Sequence, residues 1–249
     1  MALGEFQSQK ALWQHIPNNV VVPLSHGTCK SDNSKSFFLA SFRKFINGSL
    51  PTTHTLVELL KALHTSAISS TGKFGFHVMT FNGYVPLVND WCDTWEEWYS
   101  RQLRSDMEHE QRVRGHDAEF MQIANEFFAK VIPRLLRPLE TGDRTITPVL
   151  VHGDLWYENV AIDEHSGEAI LFDSCCCYAH HESMSFFLDP EPCRIGVSSS
   201  TKTLTVELFM IRAPRHIFSN KVHGARYIEA MGRSEPTEDF DDRNALYAL

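Results

Sequence analysis

A chain of 249 residues is long enough for one large domain or two lobes with a proper core, and 43% apolar with 22% charged residues excludes a disordered chain. A net charge of −8 speaks against a nucleic-acid partner, and no apolar run approaches the length of a bilayer span, so no membrane partner is expected. The N-terminus "MALGEFQSQK" has no basic region followed by an apolar one, and the six cysteines, three of them consecutive and none in a CxxC pair, read as reduced thiols of a cytoplasmic protein.

In chain order, Leu3, Phe6, Ala11, Leu12 and Ile16 predict a helix stopped before Pro17. "NVVVPL" and "KSFFLASFRKF" predict strands, being rich in β-branched and aromatic residues, with "GTCKSDNSKS" as a polar turn cluster between them. Thr52 or Thr53 caps the next helix, whose apolar stripe is Leu56, Leu59, Leu60 and Leu63. "DTWEEWYSRQLRSDMEHEQRVR" is a long polar helix with an aromatic start, and Trp91, Trp95 and Trp98 read as packing residues at near-helical spacing. Asp117 can cap a further helix with Phe120, Ile123, Ala124, Phe127, Phe128 and Val131 on one face, ended or kinked by Pro133.

From Val149 the character changes. "PVLVHGD" is a strand running into a polar loop, and "NVAID" and "EAILFD" are two apolar runs around "EHSG", a hairpin turn with Gly167 suited to positive φ. Residues 183–205 show no clear period and read as a loop or insertion. The fold class is α+β.

The polar residues of this stretch carry chemistry. Asp154 follows a strand and a glycine, so it sits at a loop apex where a carboxylate can meet a substrate. Asn159 opens the hairpin and Asp173 closes it, so the two can lie close although far apart in sequence. One carboxylate and one amide oxygen, leaving positions for water and phosphate, suit Mg²⁺. Asp154 is then free to orient a hydroxyl and take its proton. The order His-x-Asp-x₄-Asn followed by a strand-end Asp is that of kinase-type phosphoryl transfer, read here as His152, Asp154, Asn159 and Asp173. A hydrolytic metal site using His152 and Asp154 would need further ligands that the sequence does not offer.

"LVHGDLWYEN" and "FDSCCCYAHHE" resemble the fructosamine-3-kinase family, the ketosamine or protein-ribulosamine 3-kinases, as do "GKFGFHV", "VIPRLLRPLE" and "EPTEDFDDRNALYAL". The resemblance implies a protein-kinase-like, aminoglycoside-phosphotransferase-like two-lobe fold, with residues 1–45 a remnant of the small ATP-binding lobe and hinge and 46–249 the large lobe. It implies ATP with Mg²⁺, and a ketosamine on a protein or small amine phosphorylated on the sugar 3-hydroxyl. Asp154 would be the base, and Asn159 and Asp173 the metal ligands. Trp156 and His152 would lie on the substrate side. Backbone at Ser41, Phe42 and Arg43 would meet adenine, and Glu5 matches the helix glutamate that pairs with the ATP-binding lysine.

The departures carry expectations too. The chain starts almost at Glu5, so the lysine and phosphate-covering loop that the resemblance implies have no counterpart in it. The family's "HxEYEL" is split between His180 to Glu182 and Val206 to Leu208, around a segment unlike the family. Weak or absent activity is expected of the chain as given. The alternatives are another small-molecule kinase of the aminoglycoside or choline kinase type, or a non-catalytic remnant that binds a partner.

Overall fold

A computed structural model describes residues 1–184 and 221–247. Most of the 183–205 stretch, and Val206 to Leu208, lie outside the described residues. The described elements are α1 (Ala2–His15), a hairpin of β1 (Pro23–Cys29) and β2 (Asp32–Ala40), and α2 (Thr53–Ser66). A short ribbon follows, β3 (Phe81–Asn82) and β4 (Val85–Pro86), then α3 (Trp95–Arg114) and α4 (Ala118–Leu136). The remainder comprises β5 (Val149–Val151), β6 (Val160–Ile162), β7 (Ala169–Leu171), β8 (Cys177–Ala179), α5 (Lys221–Met231) and α6 (Phe240–Tyr247). The strands pair antiparallel as β1 with β2, β3 with β4, β5 with β8 and β6 with β7.

Local chemistry accounts for the helix boundaries. The Thr52 hydroxyl accepts from the Thr55 amide, Thr94 does the same for Glu97, and the Asp117 carboxylate accepts from Phe120, each satisfying an otherwise unpaired first-turn donor. Pro133 does not end α4. The helix runs on to Leu136 because Ile132, Leu135 and Leu136 are buried, and their burial offsets the one missing amide donor. In α4, Ile123 lies outside the buried face, being 44% exposed.

Two expectations near the N-terminus are corrected. The loop expected over "GTCKSDNSKS" shrinks to Lys30 and Ser31, and β1 and β2 continue through the flanking polar residues. Both hairpin faces are largely exposed, so strand formation does not demand apolar alternation there, and Asp32 Oδ1 supports the turn by accepting from the Ser34 amide. The buried face of α1 is also not the apolar one expected: it is Gly4, Ser8, Gln9 and Leu12, while Leu3 is exposed.

Everything that positions the site meets around β5–β8. Leu150 in β5 donates its amide to Ala67 O at the end of α2, Gly75 bridges to Tyr178 in β8, and Val20 pairs in parallel with Leu171 in β7. The segment after β2 also joins the β6–β7 hairpin. Phe45 bridges Asp163, Ile46 donates to Ile162 O, and the Phe45 and Phe172 rings stack at 5.1 Å. Cys175, Cys176 and Cys177 are buried small side chains leading into β8.

Candidate active site

β5 ends at Val151 and the chain turns sharply through His152, Gly153 and Asp154. Gly153 holds φ 84°, and a side chain there would run into the carbonyl and sulfur of Cys175, so only glycine lets the loop lie this close to the segment before β8. The Cys175 amide closes the contact by donating to His152 O at 3.0 Å. The β6–β7 hairpin turns on Asp163, whose Oδ1 accepts from the amides of His165 and Ser166, with Gly167 at φ 74°. That turn returns the chain so that Asp173 comes back beside Asn159.

Asp154, Asn159 and Asp173 share one place. The Asn159 Nδ2 donates to Asp154 O at 2.8 Å, to Asp154 Oδ2 at 3.1 Å and to Asp173 O at 3.4 Å. The nitrogen thereby faces the protein, and Oδ1 is the atom of Asn159 able to meet a cation. Asp173 adopts a left-handed φ of 56°, rare for a residue with a side chain and a form of local strain that clusters at functional sites.

The electrostatics agree with this convergence. Partial burial raises the Asp154 carboxyl to about 6, with the Asp173 charge adding to the rise and the Asn159 hydrogen bond opposing it. Glu5 on α1 is also raised, first by burial and then by Asp173. Asp173, just after β7, therefore acts on both Glu5 of α1 and Asp154 of the post-β5 loop. Among the described residues no ion pair joins any of them to a basic side chain. An all-oxygen donor set without a paired basic side chain suits a hard divalent cation, and Asn159 Oδ1 and the Asp173 carboxylate are the oxygens that could hold one.

His152 departs from its expected substrate contact. It is fully buried, accepts at Nδ1 from the Asp154 amide at 3.3 Å and meets Phe172 O at Nε2 at 3.1 Å. Burial pushes it down to about 4, so the ring is neutral and neither nitrogen is left for a sugar. It holds the loop to the strand before Asp173. Trp156 lies half-buried in the loop after Asp154, its ring edge-on to Tyr157 at 5.0 Å.

At the hinge, Ser41 is tied to Val22 in both directions: its amide donates to Val22 O and its hydroxyl accepts from the Val22 amide, each at 2.8 Å. Its N–H is therefore not available to adenine, which corrects that part of the hinge expectation. Phe42 is 89% exposed, and the Arg43 guanidinium pairs with Asp163 at 3.6 Å.

Sequence reasoning missed the polar seat of α1. Gln9 and Ser8 are fully buried, and they bond to Leu171 O, Val21 O, Ser174 and Cys176. The one available signal is their spacing from Glu5, at i+3 and i+4 on the same helix face. It missed a second network as well. Glu182 and Arg243 form a fully buried ion pair at 2.9 Å, and His180 bonds to Tyr247 OH and Ser234 Oγ, both at 2.8 Å. His180, His181 and Glu182 lie close enough to suggest a metal site, yet both His180 nitrogens, both Glu182 oxygens and His181 Nε2 are already bonded to protein.

The fold is that of a kinase-like α+β protein, in which the loop after β5 and the β6–β7 hairpin meet at Asp154, Asn159 and Asp173. A solved structure from Haemophilus somnus 129PT assigned to the fructosamine-3-kinases superposes with a TM-score of 0.62 over 99% of this chain and 69% of its own, at 17% identity, a likeness of fold. The fructosamine kinase family profile matches residues 3–186, and the chain belongs to that family. It is 42% identical over 111 residues to the mouse (Mus musculus) ketosamine-3-kinase, covering 44% of this chain and 33% of that one. It is 29% identical over 181 residues to the chloroplastic protein-ribulosamine 3-kinase of Oryza sativa subsp. japonica, covering 72% of this chain and 49% of the relative. The chain thus spans half or less of the length of these relatives. No described helix is long and apolar enough to cross a membrane.

Proposed function

We propose that the chain carries the phosphoryl-transfer site of a ketosamine 3-kinase, moving the γ-phosphoryl of ATP to the sugar 3-hydroxyl of a ketosamine on a protein or small amine. One observation carries the reading: Asn159 Nδ2 ties Asp154 Oδ2 and the Asp173 backbone together at the mouth of the post-β5 loop. Asp154 receives the hydroxyl proton. A carboxyl raised to about 6 is a better matched base near neutral pH than an ordinary aspartate. Asn159 Oδ1 and Asp173 hold the divalent cation, which supplies positive charge to the phosphate oxygens. His152 positions the loop, and Trp156 is the side chain offered to the sugar. Residues 1–45 belong to the small ATP-binding lobe and hinge, residues 46–249 form the large lobe, and the backbone of Phe42 and Arg43 with the Ser41 carbonyl is the part of the hinge left to meet adenine.

The test is ³¹P NMR of the chain with ATP, Mg²⁺ and a fructosamine or ribulosamine. A new sugar-phosphate resonance, absent in Asp154→Asn, is expected. Phosphorylation of an aminoglycoside or choline in place of ketosamines would overturn the substrate, and ATP binding indifferent to Mg²⁺ would overturn the site.

A further inference from the structure

Asp173 is exposed, and among the described residues its carboxylate has no hydrogen bond or ion pair. Its place is set by its neighbours in the chain. On one side Phe172 donates its amide to Asn159 O at 3.1 Å. On the other, the Ser174 hydroxyl donates to Gln9 Oε1 at 3.2 Å, and the Cys176 amide donates to Ser8 Oγ at 3.0 Å. Ser174, Gln9 and Ser8 are all buried.

Gln9 does more than receive Ser174. Its Nε2 donates to Leu171 O at 3.2 Å and Val21 O at 3.3 Å, so one amide joins α1, the segment before β1, the end of β7 and Ser174. Gln9 lies four residues after Glu5, on the face of α1 that carries Glu5 toward Asp173. Hydrogen bonds fix direction and register, whereas apolar contact alone lets a helix slide or roll. A helix seated by Gly4, Ser8 and Gln9 is thus locked at one register against the segment that bears Asp173.

We propose that Gln9 is a positioning residue for Asp173, acting through the Ser174 hydroxyl, so that α1 and the cation-holding hairpin move as one body. The inference rests on the reading of Asp173 as a cation holder and extends it to residues that touch neither metal nor substrate.

The experiment measures Mn²⁺ affinity of the full chain by electron paramagnetic resonance, beside the melting temperature of each variant. Ser174→Ala and Gln9→Met are expected to weaken Mn²⁺ binding about tenfold, the lower end for partners that orient metal ligands. Ser174→Thr, which keeps the hydroxyl, is expected to restore it. Ser8→Ala lowers the melting temperature to a similar extent but leaves the affinity within about twofold, because its bond reaches Cys176 and not the neighbour of Asp173. Unchanged affinity in Ser174→Ala overturns the proposal, and so does equal weakening by Ser8→Ala, which would reduce Gln9 to general helix docking. Failure of the unmodified chain to bind Mn²⁺ overturns the cation reading itself. In that case amide exchange across residues 172–176, unchanged by Ser174→Ala, would show separately that the bridge does not hold the segment.

Discussion

The Asn159 carboxamide reaches back five residues to Asp154, donating from one nitrogen to the carbonyl at 2.8 Å and to the carboxylate at 3.1 Å. The bond steadies the ionised carboxylate, but burial and the Asp173 charge outweigh it and leave Asp154 raised to about 6. A carboxyl raised on folding favours its protonated form in the native state. Its contribution to stability is therefore full below the unfolded value of about 3.9 and is lost as pH rises through about 6. Asp154→Asn removes that dependence. In metal-free buffer the melting temperature of the variant, relative to the parent, should climb between pH 4 and pH 7. A divalent cation should raise the parent's melting temperature more than the variant's. Activity should fall by about 10²- to 10⁴-fold, the range for loss of a positioned base.

His152 offers a sharper test of role. With Nδ1 accepting from the Asp154 amide and Nε2 facing Phe172 O, it is a neutral Nε2–H tautomer held far below its ordinary titration range. Nitrogen chemical shifts of the ring should not move between pH 5.5 and pH 8. His152→Ala should cost about 1–3 kcal/mol through the unsatisfied backbone groups it leaves behind. It should also lower activity without moving the pH–rate profile. A profile that shifts with this substitution would assign the ring a proton-transfer part.

The contrast between these residues and α1 shows what a sequence can reveal. The meeting of Asp154, Asn159 and Asp173 was legible because it follows from spacing along a loop and a hairpin, both local and set by few torsions. Helix caps at Thr52 and Asp117 were legible for the same reason. The seat of α1 was not. Ser8 and Gln9 are polar residues that a period of apolar positions assigns to solvent, and they are buried because of carbonyls and amides near residue 171 to 176, more than 160 residues away. The hairpin β1–β2 failed from the opposite cause: its faces are exposed, so polar composition no longer distinguishes strand from loop.

Gly153 carries a prediction about the loop itself. Alanine there would hold an unfavourable left-handed φ and drive its methyl into the Cys175 carbonyl, a backbone atom that cannot swing aside. The strain is roughly 1–3 kcal/mol. The expected relief is opening of the Cys175 to His152 hydrogen bond, which displaces Asp154 from Asn159. Gly153→Ala should therefore keep its far-ultraviolet circular dichroism, unfold at a lower urea midpoint, and lose cation binding together with activity. Retention of Mn²⁺ affinity would show that the loop tolerates a second path past Cys175.

The Glu182–Arg243 pair supplies the last prediction. Both side chains are fully buried, and Glu182 Oε1 also accepts from the Ser234 amide while Arg243 donates to Ser234 O and Pro236 O. The ion pair fastens α6 and the turn before it to the chain just after β8. Removing one member leaves the other charged, dry and only partly bonded, which costs about 3–5 kcal/mol in such pairs. Arg243→Met and Glu182→Gln should each lower the urea midpoint strongly. The double variant should lose clearly less than the two costs added, since no unpaired charge remains in it. Additive losses would mean that each side chain is held by its backbone contacts independently and that the ion pair contributes little. Circular dichroism melts of the four proteins at one pH distinguish the two outcomes.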